Sequence, residues 1–132
     1  MKDDTKTNLI VGAFVFAGAL LFSQFRYSFT SPPDDMWFQA RVVDQGNLVL
    51  VKFGADWCGP CRMVDKELDK LRGRVPSLDI VKIDVDEKPH LASHYGVSGI
   101  PRLILFRQGQ VKASRSGAVP VSELEKWVHP HL

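Results

Sequence analysis

At 132 residues the chain is about one domain long, and 45% hydrophobic residues suffice for a buried core. The net charge is +2, with Lys and Arg interspersed among Asp and Glu, so neither a basic stripe nor an aromatic-rich motif argues for nucleic acid as a partner. Two cysteines in a single motif imply no structural disulfide framework, and no internal repeat or low-complexity tract is visible.

Residues 1–8 form a polar flank in which Lys2 and Lys6 are balanced by Asp3 and Asp4. Leu9 to Phe22 carries no charged or strongly polar side chain. This stretch is shorter than the roughly 20 residues of a typical span, but it fits a signal core, or a short anchor extended to 9–25. Phe22-Ser23-Gln24-Phe25-Arg26 offers bulky residues where a signal peptidase wants small ones, so a retained transmembrane anchor is favoured over a cleaved leader. Lys2 and Lys6 place the amino terminus inside and the domain at 26–132 outside the cytoplasm, against the opposing pull of Arg26.

Tyr27 to Thr30 predicts a short first strand, followed by a Ser31-Pro32-Pro33 spacer. Asp34 or Asp35 can cap a helix whose apolar positions include Met36, Trp37, Ala40 and Val43, ended by Gln45-Gly46-Asn47. Leu48 to Val51 reads as a buried strand. Met63, Val64, Leu68 and Leu71 then recur at helical spacing, with Gly73 expected to close that helix. Leu78 to Val85 alternates as a second central strand, and Pro89 to Tyr95 is a short helix stopped by Gly96. Leu103 to Phe106 and Val111 to Ser114 predict a hairpin around Gln108-Gly109. Ser122 and Glu125 suggest a capping box for a last helix carrying Val121, Leu124, Trp127 and Val128, with Pro130 at its end. The order implies an α/β fold, a mixed sheet covered by helices on both faces.

Between the first central strand and the long helix stands Trp57-Cys58-Gly59-Pro60-Cys61. Two thiols at the first turn of a helix can close a disulfide with each other. Free N–H groups and the helix dipole favour an anion there, so Cys58 should ionise more readily than an ordinary thiol and stand exposed as the attacking sulfur. Cys61, one turn further in, should be the sheltered, resolving sulfur. The same spacing is half of a zinc site, but no second Cys pair completes it. His90 and His94 have metal-ligand spacing with no third ligand in view, which favours a solvated helix face, and no metal is expected.

These five residues, together with Phe53, Ala55, Gly99-Ile100-Pro101, Gln108-Gly109 and Gly117, resemble the thioredoxin family over roughly Trp37 to the C-terminus. The resemblance implies the thioredoxin fold and thiol–disulfide exchange with protein disulfides, by a monomer recycled by a redox partner. No metal or organic cofactor is implied; the redox group is the Cys58–Cys61 pair. Carried over by position, Cys58 is the nucleophile and Cys61 the resolver. Ile100-Pro101 matches the cis-proline turn. Trp57, Gly59, Pro60, Ile100, Pro101 and Gly117 line a groove for an extended substrate. Gly-Pro between the cysteines resembles the reducing branch; a disulfide oxidant or isomerase, or a non-enzymatic binding module, are the alternatives. The sequence departs from the family at Lys66, where a proline is usual, and at Lys52, where the family usually buries an aspartate. Lys82 matches the lysine that faces that aspartate. Two adjacent lysines imply that one is neutral or that one reaches water, with proton transfer or thiolate tuning as a role for Lys52.

Overall fold

The computed structural model describes residues 33–132. The polar flank at 1–8, the apolar segment at 9–25 and the strand expected over Tyr27–Thr30 lie outside the described residues. Among the described residues, no helix is long and apolar enough to cross a membrane.

Four strands, β1 (Leu48–Gly54), β2 (Asp79–Asp84), β3 (Arg102–Arg107) and β4 (Gln110–Ser116), form one mixed sheet in the order β2-β1-β3-β4. β1 runs parallel to β2 and antiparallel to β3, which pairs antiparallel with β4. A parallel neighbour needs a crossover, supplied here by α2 (Gly59–Arg74). All of β1 is buried, as a central strand with both faces covered must be.

Alternation along β1 divides the core in two. Leu48 and Leu50 face Val64, Leu68 and Leu71 of α2 and Leu124 and Val128 of α4 (Val121–Val128). Val49, Val51 and Phe53 face the other way, onto Phe38, Val42 and Leu91. Leu91 belongs to α3 (Pro89–His94), the short helix on that side. Each fully buried Leu or Phe contributes about 1.5–3 kcal/mol. These two apolar layers, rather than any ion pair, therefore hold the sheet together.

The expected first helix, α1, begins at Met36–Phe38 and continues as a wider π-helical turn over Gln39–Val43, where Asp44 N–H donates to the Gln39 carbonyl at 2.9 Å. Asp35, not Asp34, is its cap, accepting from Phe38 N–H at 2.8 Å. The buried face differs in part from the expectation, although Val43 does pack against the core. Phe38 and Val42 are fully buried, whereas Met36 is 87% exposed and Ala40 also faces solvent. α2 runs one residue past Gly73, and its end is set by Pro76, which disfavours helical backbone at Val75. Ser122 and Glu125 form no capping box. α4 starts at Val121 behind Pro120, and the free Val121 N–H donates to Glu67 Oε2 at 2.7 Å across the helix pair. α4 ends at Val128, with Pro130 inside a following 3-10 turn at His129–His131. The β3–β4 hairpin turns on Gln108 and Gly109, both with positive φ (51° and 73°), the backbone of a two-residue type I′ turn.

Candidate active site at the strand-to-helix junction

β1 delivers the chain to a tight turn in which Cys58 N–H donates to the Ala55 carbonyl at 3.1 Å. Cys58 is the N-cap of α2, and its sulfur accepts from the Cys61 N–H at 3.2 Å. Pro60 fits in the first helical turn because no N–H is needed there. Cys58 and Cys61 are joined as a disulfide with their Cα atoms 5.2 Å apart. The expected contrast in exposure is narrow in this oxidised form: Cys58 is 5% exposed and Cys61 1%. Ala55 clusters with the two cysteines, and Ile100 and Val85 pack against that cluster. What distinguishes Cys58 is the cap position, where an N–H and the helix dipole meet its sulfur.

The expected groove residues do gather around this point. Ile100-Pro101 is a cis peptide, and Gly117 N–H donates to the Pro101 carbonyl at 3.1 Å, tying the end of β4 to the proline. A side chain on Gly59 or Gly117 would meet no atom within 4 Å, so both positions open onto solvent. Trp57 is 69% exposed, and its Nε1–H donates to Asp86 Oδ2 at 2.8 Å, which fixes the indole beside the cysteines. Sequence reasoning missed Met63, 62% exposed on α2. It borders an apolar hollow of about 260 Å³ with Ala118, Val119 and Pro120. Its only signal is an apolar residue next to Val64, which takes the buried position of the same turn.

Lys52 is buried, with 6% exposure, so it is not the lysine that reaches water. It continues the Leu48–Leu50 row toward α2, and its Nζ lies 3.0 Å from both carboxylate oxygens of Asp65. The two lysines share the Asp65 carboxylate, and of the two expected outcomes it is the lysine reaching water that is seen. Lys82, aligned with Lys52 across β1 and β2, extends toward solvent and pairs with Asp65 at 3.3 Å and Asp69 at 3.7 Å. Asp65 was missed because the strand-to-helix geometry, not sequence proximity, brings it to Lys52.

His90 and His94 both stand on an exposed helix face, as expected. His90 contacts Asp35 Oδ2 at 2.8 Å, and His94 sits edge-on to Tyr95. The Asp35 carboxylate also accepts from Lys88 Nζ at 2.8 Å. Lys88 foremost, then the Phe38 N–H, holds the Asp35 carboxyl far below the usual carboxylate range. Burial pushes the Tyr95 hydroxyl up to about 12, so it takes no part in acid–base chemistry near neutrality.

The thioredoxin family model matches residues 30–130. Thioredoxin 1 of Nostoc sp. is 40% identical over 99 residues, covering 74% of this chain and 92% of that protein. Thioredoxin of Rhodospirillum rubrum is 40% identical over 95 residues, covering 71% of this chain and 91% of its own length. Chloroplastic thioredoxin M4 of Arabidopsis thaliana is 40% identical over 100 residues, 75% of this chain and 51% of that protein.

Proposed function

The chain belongs to the thioredoxin family and is a thioredoxin-type disulfide oxidoreductase, and we propose that it runs as a protein-disulfide reductase tethered to a membrane. Membership implies protein disulfide substrates and a reductant partner. The observation that carries the direction of attack is the cap geometry: the Cys58 sulfur accepts the Cys61 N–H at the start of α2.

In the reduced protein, Cys58 attacks as the thiolate, since thiolate fraction and access decide which sulfur reacts. Its sulfur bonds to one substrate sulfur, and the other leaves with the electron pair and takes up a proton. Cys61 then loses its proton and attacks Cys58, closing the disulfide and releasing the second substrate thiol. Two protein thiols become one disulfide and one substrate disulfide becomes two thiols, so electrons balance without a further cofactor. The open positions at Gly59 and Gly117 and the exposed Trp57 and Met63 suit an extended, partly apolar polypeptide.

The Gly-Pro pair between the cysteines supports the reducing direction. Membrane attachment and a location outside the cytoplasm rest on the apolar run Leu9–Phe22 and its flanking charges. Dithiothreitol-driven insulin reduction tests the activity: the wild type should accelerate it and Cys58→Ser should not. A potential near the roughly −270 mV of thioredoxins supports the reductase. One near the roughly −120 mV of a dedicated oxidant reverses the direction. Cys61→Ser should trap mixed disulfides on Cys58, and their absence would overturn the assignment of roles.

A further inference from the structure

Next to Cys61, on the β1 side, lies an ion pair that the reaction as described does not use. A Cβ built on Gly54 would fall 2.9 Å from Lys52 Nζ and 3.1 Å from Cys61 Sγ. The two atoms are therefore no further apart than the sum of those distances. Cys61 is 1% exposed and Lys52 6%, so little water screens one from the other. Building on the reductase reading, we propose that Lys52 holds a fixed positive charge against Cys61 Sγ that stabilises its thiolate during resolution. In this arrangement Asp65 is the positioning residue that keeps the charge in place.

Both carboxylate oxygens of Asp65 lie 3.0 Å from Lys52 Nζ and hold the ammonium in place. The same carboxylate faces Lys82 at 3.3 Å. The Asp65 carboxylate is therefore engaged by two ammonium groups. Lys52, Asp65 and Lys82 line a polar hollow of about 350 Å³ that is open to solvent.

The remaining charges around the hollow divide by element. From α2, Asp69 pairs with Lys82 at 3.7 Å, and Arg62 is drawn away to the Asp56 carbonyl at 2.8 Å. Asp84 of β2 accepts from the Asp86 N–H at 2.8 Å, and Glu87 and Asp56 line the hollow from the neighbouring turns. Lys52 is the cation placed beside the sulfur. In the resolving step the Cys61 S–H proton leaves to water, the Cys58–Cys61 bond forms, and the Cys58–substrate bond breaks. The substrate sulfur departs as a thiolate and is then protonated.

The test loads Cys58 of the reduced protein with 5-thio-2-nitrobenzoate and follows its release by Cys61 as a function of pH. Melting curves check that each variant is folded. Lys52→Met and Asp65→Asn should move the rising limb to higher pH by about one unit, roughly tenfold slower release below it. Lys52→Arg should follow the wild type, which separates a charge from mere packing. Labelling of Cys58 by iodoacetamide should be unchanged in all variants. An unshifted limb in Lys52→Met overturns the proposal. So does a shift in Asp65→Asn alone, which would make Asp65 the proton acceptor. A wild type that takes up the label but never releases it overturns the reductase reading itself, independently of Lys52.

Discussion

Gly54 is what lets a lysine lie against the resolving cysteine. A Cβ at that position would sit 2.5 Å from Lys52 Cε, closer than real side chains approach, and a lysine end is a flexible group that can yield. Gly54→Ala is therefore expected to leave the sheet intact but displace Lys52 from Asp65, reproducing the Lys52→Met shift in resolution kinetics. An unchanged pH profile in a folded Gly54→Ala protein would contradict this. The ion pair should also respond unequally to removal of either partner. Asp65→Asn strands a buried lysine and is expected to cost about 1–3 kcal/mol. Lys52→Met leaves an Asp65 whose side chain is 29% exposed and still faces Lys82, so its cost should stay below about 1 kcal/mol. Urea unfolding of the two variants measures both, and equal losses would show that the burial of Lys52 does not govern the pair.

At the scale of elements, α1 depends on one carboxylate. Asp35 caps the helix through Phe38 N–H and receives Lys88 and His90 of the α3 region, while Lys88 Nζ lies 4.9 Å from the centroid of the Trp37 ring. These contacts explain why the sequence did not single out Phe38 and Val42 as the buried positions. α1 carries two apolar sets, Met36-Trp37-Ala40-Val43 and Phe38-Val42, and periodicity does not choose between them. The Asp35 tether and the Lys88–Trp37 contact fix the roll of the helix, and the π-helical turn breaks the regular period. Asp35→Ala is expected to destabilise by about 1 kcal/mol as a lost cap. The wild-type contribution should also depend on pH. Folding lowers the Asp35 pKa, so the unfolded chain takes up this proton first as pH falls. The stabilisation is complete above about pH 4 and is lost progressively in stronger acid. Melting temperatures followed into acid should therefore fall more steeply for the wild type than for Asp35→Ala, and parallel curves would remove Asp35 from the account.

At the scale of the whole molecule, the sheet was legible because β1 to β4 obey local rules: apolar runs, alternation and a Gly-containing hairpin turn. The cysteine pair was legible for the same reason, since its chemistry sits in consecutive residues. Asp65 and Glu67 were not, because each acts across an interface, on Lys52 in the sheet and on Val121 in another helix. The segment 9–25 raises a question of a different kind, since it lies ahead of the family match at residues 30–130. Thioredoxin 1 of Nostoc sp. is matched over 92% of its length by 99 residues of this chain, so the redox unit accounts for nearly all of that relative. If Leu9–Phe22 is a retained anchor, the full chain should stay with membranes after carbonate washing. A chain lacking residues 1–25 should be released and still reduce insulin at the wild-type rate. Release of the full chain by carbonate, or a mature protein beginning near residue 26, would make the segment a leader instead. Loss of insulin reduction in the shortened chain would show that the redox unit extends further toward the amino terminus than the family match does.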